Sequence, residues 1–154
     1  MVRFIFAFLV LATTVVKAQP VIKGRLESFV ASNSVYPGYS KANCIQGTVT
    51  ISFKLNQSGQ VYYSKISSGI GTDLDDEALR LIRLSSGKWT VPANHDTTIS
   101  LIAPMKFSLS GYNCDNKTPQ EIQKAILAYK SNEGLVNSIQ NFYRNKEKGA
   151  ANES

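Results

Sequence analysis

The chain of 154 residues has one histidine, two cysteines and one tryptophan, and only 18% of it is charged. A single histidine leaves little material for acid–base chemistry near neutral pH. His95 stands in a polar loop beside Asn94 and Asp96, where simple exposure explains it. No serine lies in a Gly-x-Ser-x-Gly elbow, so nucleophilic hydrolysis has no motif behind it. Asp73, Asp75, Asp76 and Glu77 crowd one short stretch. A calcium loop spreads its oxygen ligands over about twelve residues, with a turn glycine and a distal glutamate, which these four acids do not do. They are read as helix-capping charge. No catalytic residue, metal ligand, cofactor or small-molecule substrate is therefore expected. Basic runs interleaved with aromatics are also absent, which excludes nucleic acid as a partner. No internal repeat is present.

Long apolar runs are scarce too. Phe4 to Val16 is the one sustained stretch, and its thirteen residues follow the positive charge of Arg3. A helix needs roughly 20 apolar residues to span a bilayer. With small residues ahead of Gln19, the pattern is that of a cleaved signal peptide, residues 1–18, cut between Ala18 and Gln19. Export to the periplasm follows, and an uncleaved inner-membrane anchor is the competing reading. Losing Arg3 and Lys17 would take the net charge from +6 to +4. Such a mild balance, spread along the chain, reads as a solvated surface.

Export gives the two cysteines a context. In an oxidising compartment Cys44 and Cys114 are expected to be joined, and two buried thiols are the alternative.

Residues 19–35 hold no sustained period and read as a lead-in or tether. Tyr36-Pro37-Gly38-Tyr39 marks a turn, and Ser40 to Cys44 has room for one helical turn. Gly47 to Leu55 alternates strictly, with Val49, Ile51, Phe53 and Leu55 on one face and Thr48, Thr50, Ser52 and Lys54 on the other. Asn56 to Gly59 is a four-residue hairpin connection, and Val61 to Ile66 returns. One apolar and one polar face predict an antiparallel sheet covered on one side. Thr72 or Asp73 caps a helix to about Leu84, with Leu74, Ala78, Leu81, Ile82 and Ser85 as its buried stripe. Trp89 and Pro92 lie in a connector. A third strand is predicted over Ile99 to Leu109, with Pro104 on its outward face, which marks an edge or a bulge. Thr118-Pro119-Gln120-Glu121 is a capping box, followed by Ile122, Ala125, Ile126 and Tyr129 at helical spacing. Gly134 is expected to break that helix. Leu135, Ile139, Phe142 and Tyr143 then form a second amphipathic face, and residues 146–154 are polar.

Five pieces in this order resemble the C-terminal domain of TonB-type energy transducers. They are Tyr36-Pro37 with Ile45 to Phe53, Ser58 to Val61, Leu74 to Arg80, Lys88 to Ala93, and Ala103 to Leu109. Together they cover about 75 residues, and a proline in the last strand is similar to the variant common in Bacteroidetes. The resemblance implies an α+β fold over residues 36–114. In that fold a three-stranded antiparallel sheet carries helices on one face, and residues 115–154 are a helical extension. It implies that the first and third strands are neighbours, so that Cys44 and Cys114 flank adjacent strand ends. It also implies a protein-binding role. A periplasmic segment of an outer-membrane transporter would add as a strand to the free edge of the last strand. Carried onto these residues, the partner-binding set is Thr98, Ser100 and Ile102, with Tyr36 and Pro37 near the groove. Pro104 lacks an N–H, so pairing would concentrate ahead of it. A second copy of the chain is the other protein that such an edge admits. The competing reading is a stand-alone structural or envelope protein whose sheet edge is capped by its own tail.

Overall fold

In a computed structural model of the protein, residues 18–22, 25–133 and 136 are described. The apolar run from Phe4 to Val16, Gly134, the second amphipathic face of Leu135, Ile139, Phe142 and Tyr143, and the polar end lie outside them.

The sheet is built where alternation predicted it. Strand β2 (Gly47–Leu55) is the centre, flanked by β3 (Val61–Ser68) and β5 (Leu101–Phe107), both antiparallel to it, in the order β3-β2-β5. Val49, Ile51, Phe53 and Leu55 are buried, and Ala103, Met105 and Phe107 of β5 join them on the same face. The Asn56 carboxamide closes the hairpin by accepting the Ser58 and Gln60 amides, while Gly59 takes φ 74°.

Helix α3 (Asp73–Leu84) lies across β2 and β3 and buries Leu74, Ala78, Leu81 and Ile82. Thr72 is its N-cap, accepting the Leu74 amide. The acids at its start are used for more than charge. Asp75 accepts the Ile70 and Gly71 amides, both at 2.8 Å. Asp73 accepts from the Tyr39 amide and the Ser40 hydroxyl. These bonds tie the helix to the loop before it and to α2 (Gly38–Ala42), which Pro37 precedes as N-cap. Trp89 packs its ring on Phe53 at 5.1 Å and donates Nε1–H to Ser85.

Cys44 and Cys114 are joined, with Cα atoms 5.8 Å apart. Past Cys114 the capping box forms: Thr118 donates its amide to Glu121, and Glu121 donates its own to the Thr118 hydroxyl. Helix α4 (residues 119–133) follows. Ile122, Ala125 and Ile126 pack on the core, and Tyr129 lies 4.9 Å from the Tyr39 ring.

Two expectations need correction. The lead-in over 19–35 contains β1 (Val21–Ile22), paired antiparallel with β4 (Trp89–Thr90), and α1 (Leu26–Asn33). Only Leu26 and Val30 of α1 pack on the core and no residue of the helix is fully buried, too faint a pattern to read in advance. The last strand starts at Leu101 rather than Ile99. Asp96 captures the Thr98 amide at 2.9 Å and its hydroxyl at 2.7 Å. A side chain that folds the backbone onto itself competes with a ladder, so the turn persists through this segment.

Candidate functional site

Strand β5 is an edge. It pairs with β2 through seven registered residues, from Leu101 opposite Phe53 to Phe107 opposite Gly47. Its other side faces a trench whose far wall is the N-terminal segment. Near Leu101 and Ile102 the wall includes Pro20, Val21, Ile22 and Arg25, and the cavity there is about 390 Å³. Toward Phe107 the wall is α1, and the cavity is about 380 Å³. Leu26 and Glu27 line both cavities, so the two adjoin along β5. Among the described residues, none of α4 lines either one.

What holds the wall is a buried carboxylate. Glu77 is 7% exposed and accepts the Val35 amide at 2.8 Å and two guanidinium N–H groups of Arg80 at 2.6 and 2.8 Å. Arg80 also donates to the Asn33 carbonyl at 2.8 Å, so the C-terminal end of α1 is fastened to α3. Burial alone would raise the Glu77 carboxyl. The hydrogen bonds from Arg80 and the Val35 amide outweigh it and hold the group below the usual carboxylate range.

Tyr36 stands at one end of the trench. Its hydroxyl donates to the Ile45 carbonyl at 2.6 Å, and its ring meets Phe107 edge-on at 6.2 Å. Burial, with the Asp73 charge as a second cause, pushes its phenol up to about 12.

The residues singled out from the sequence separate here. Tyr36 lines the trench, whereas Pro37 serves as the cap of α2. Ile102 lies on β5, 59% exposed on the open face of the sheet. Thr98 and Ser100 are outside the strand: Thr98 sits in the Asp96 turn and Ser100 just before β5. Pro104 holds its register opposite Thr50, and the ladder continues on both sides of it. Ala18 and Gln19 lie beside His95 in a cavity of about 130 Å³. His95 is half-buried rather than exposed, with Nε2 buried and without a hydrogen-bond partner.

Sequence reasoning missed α1, β1 and the role of Glu77. Leu26, Phe29 and Val30 stand at i, i+3 and i+4, a short helical signal in that stretch. Glu77 looked like one more capping acid.

A family model described as Gram-negative bacterial TonB protein C-terminal matches residues 32–109, half of the chain. The solution structure of the Helicobacter pylori TonB C-terminal domain is similar at 26% identity and a TM-score of 0.46. The likeness covers 54% of this chain and 88% of that one. The C-terminal domain of HasB is similar at 27% identity and a TM-score of 0.38, covering 56% and 68%. The comparison with curated proteins returned no match. The extent of the family match over the whole sheet and its helix means that this chain belongs to the TonB C-terminal domain family.

Proposed function

We propose that the chain is a periplasmic protein-binding module that takes an extended segment of an outer-membrane transporter on the outer edge of β5. The observation that carries this reading is the edge itself. Among the described residues, Leu101–Phe107 is paired on one side only, and it borders an open trench on the other. An incoming strand would bond through main-chain groups and read side chains by alternation. Residues 1–18 as a signal cleaved between Ala18 and Gln19 would deliver the module there. The family membership supports the class of partner.

Capping of the edge by the chain's own tail is the competing reading. It is less well supported, because among the described residues α4 contributes nothing to the trench.

Amide hydrogen exchange tests the proposal. Adding a synthetic periplasmic segment of an outer-membrane transporter should slow exchange at outward-facing amides between Leu101 and Phe107. Unchanged exchange along β5, with protection elsewhere or nowhere, would rule this edge out.

A further inference from the structure

The two sides of the trench differ in chemistry, and that difference specifies the occupant. A strand added beside β5 continues the pleat, so each of its residues shares a face with the β5 residue opposite. Residues facing the helical layer meet Met105 and Phe107 of β5, Tyr36, and the Leu26 and Val30 side chains of α1. That side is mainly apolar, with Ser34, Ser108 and Ser110 also on its lining. Its one carboxylate, Glu27, is 80% exposed and lies 3.7 Å from Arg25. Residues on the opposite face continue the open face of the sheet.

The open face is cationic. Registration places Lys106 opposite Thr48, Lys65 opposite Ser52, and Lys54 opposite Tyr63, all on the face away from the core. No carboxylate occurs anywhere in β2, β3 or β5. Lys106 is exposed on the edge strand itself, on the face that an added strand would continue.

We infer that the trench between α1 and β5 takes an extended segment in which apolar residues alternate with acidic ones. The apolar set packs against Leu26, Val30, Tyr36 and Phe107, and the acidic set lies over Lys106 on the open face. Opposite charges facing each other across strands attract, and like charges repel. This inference rests on strand addition at β5 and adds the side-chain chemistry that main-chain bonding leaves open. It also gives α1 a part: the helix is the wall that reads the inward residues.

Three synthetic peptides the length of β5, titrated calorimetrically into the full chain, test it. One alternates Val with Glu, one Val with Lys, and one Gln with Glu. The Val/Glu peptide should bind about tenfold more tightly than either other peptide, from a few cross-strand charge pairs and the apolar wall. Added salt should narrow its advantage over Val/Lys. Lys106→Glu, an exposed change, should reverse the preference between those two. Equal affinity of all three peptides, unmoved by Lys106→Glu, would overturn the inference while leaving strand addition standing. Failure of all three, with a transporter segment still protecting β5, would overturn it as well. Failure of every peptide and of the transporter segment would remove the strand-addition reading itself. A dimer whose contact buries β5 would make a second copy the occupant and defeat the inference.

Discussion

The carboxylate of Glu77 accepts the amide of Val35 at 2.8 Å across 42 residues of sequence. This bond fixes where the N-terminal segment leaves the core, and Arg80 completes it from the other side of the same carboxylate. Glu77→Ala would leave a half-buried amide and a guanidinium without their acceptor. The expected cost is about 2 kcal/mol, measured by denaturant unfolding. A loss confined to α1, seen as faster exchange at its amides with the sheet unchanged, would mark the bond as a local fastening.

The same carboxylate sets an acid limit. Glu77 ionises more readily in the folded chain than in the unfolded one, so on acidification the unfolded chain takes up its proton first. Its contribution is complete above the ordinary glutamate value of about 4.3 and drains away as pH falls through the lower folded value. Unfolding midpoints measured from roughly pH 6 down to pH 3 should fall less steeply in Glu77→Gln than in the parent.

Tyr36 sets the matching alkaline behaviour. Its folded phenol is raised to about 12, so the neutral hydroxyl stabilises the fold below the unfolded value and that contribution is lost as pH rises toward the folded one. Ultraviolet titration should show late-ionising tyrosines, Tyr36 among them, with Tyr129 also raised by burial. Tyr36→Phe should remove one of those late steps and cost about 1 kcal/mol from the lost bond to the Ile45 carbonyl.

Gly59→Ala is expected to be costly on two counts. The residue sits at φ 74°, and an added Cβ would stand 2.2 Å from the Trp89 carbonyl oxygen. Left-handed backbone costs a side-chain-bearing residue roughly 1–2 kcal/mol, and the clash adds a comparable amount. A thermal scan should show a marked drop in midpoint. A neutral substitution would mean that the hairpin and the Trp89 connector separate freely.

Cys44 also has left-handed backbone, at φ 56°, the one such non-glycine residue among those described. It follows α2 in the position glycine usually takes, and Ile45 N–H bonds back to the Ser40 carbonyl across it. Removing the disulfide should cost about 4 kcal/mol by the chain-entropy relation. Of two variants lacking it, Cys44→Gly with Cys114→Ser should be more stable than Cys44→Ser with Cys114→Ser by about 1 kcal/mol. The order of their midpoints decides the matter.

These residues also show what a reading of the chain reaches. The alternation of Val49, Ile51, Phe53 and Leu55 and the stripe of Leu74, Ala78, Leu81 and Ile82 were legible because each repeats a period long enough to bury one face. The capping box at Thr118 and Glu121 was legible for a local reason, two side chains three residues apart. The wall of the trench was not. Strand β1 is two residues long, and α1 offers Leu26 and Val30 to a surface that exists only after β5 is in place. Glu77 escaped notice because its partner Val35 is distant in sequence. The start of β5 was misplaced because apolar Ile99 continues the alternation, while Asp96 had already turned the backbone.

The disulfide has a mechanical consequence. Cys44 precedes β2 by three residues, and Cys114 follows β5, so the bridge closes the end of the ladder at Gly47 and Phe107. A strand seated on β5 and drawn outward would tend to peel β5 from β2, breaking registered pairs in succession from whichever end is loose. With Cys114 tied to Cys44 seven residues past Phe107, that end of β5 can part from β2 only as far as the tie allows. A pull entering from Leu101 unzips the seam from its untied end.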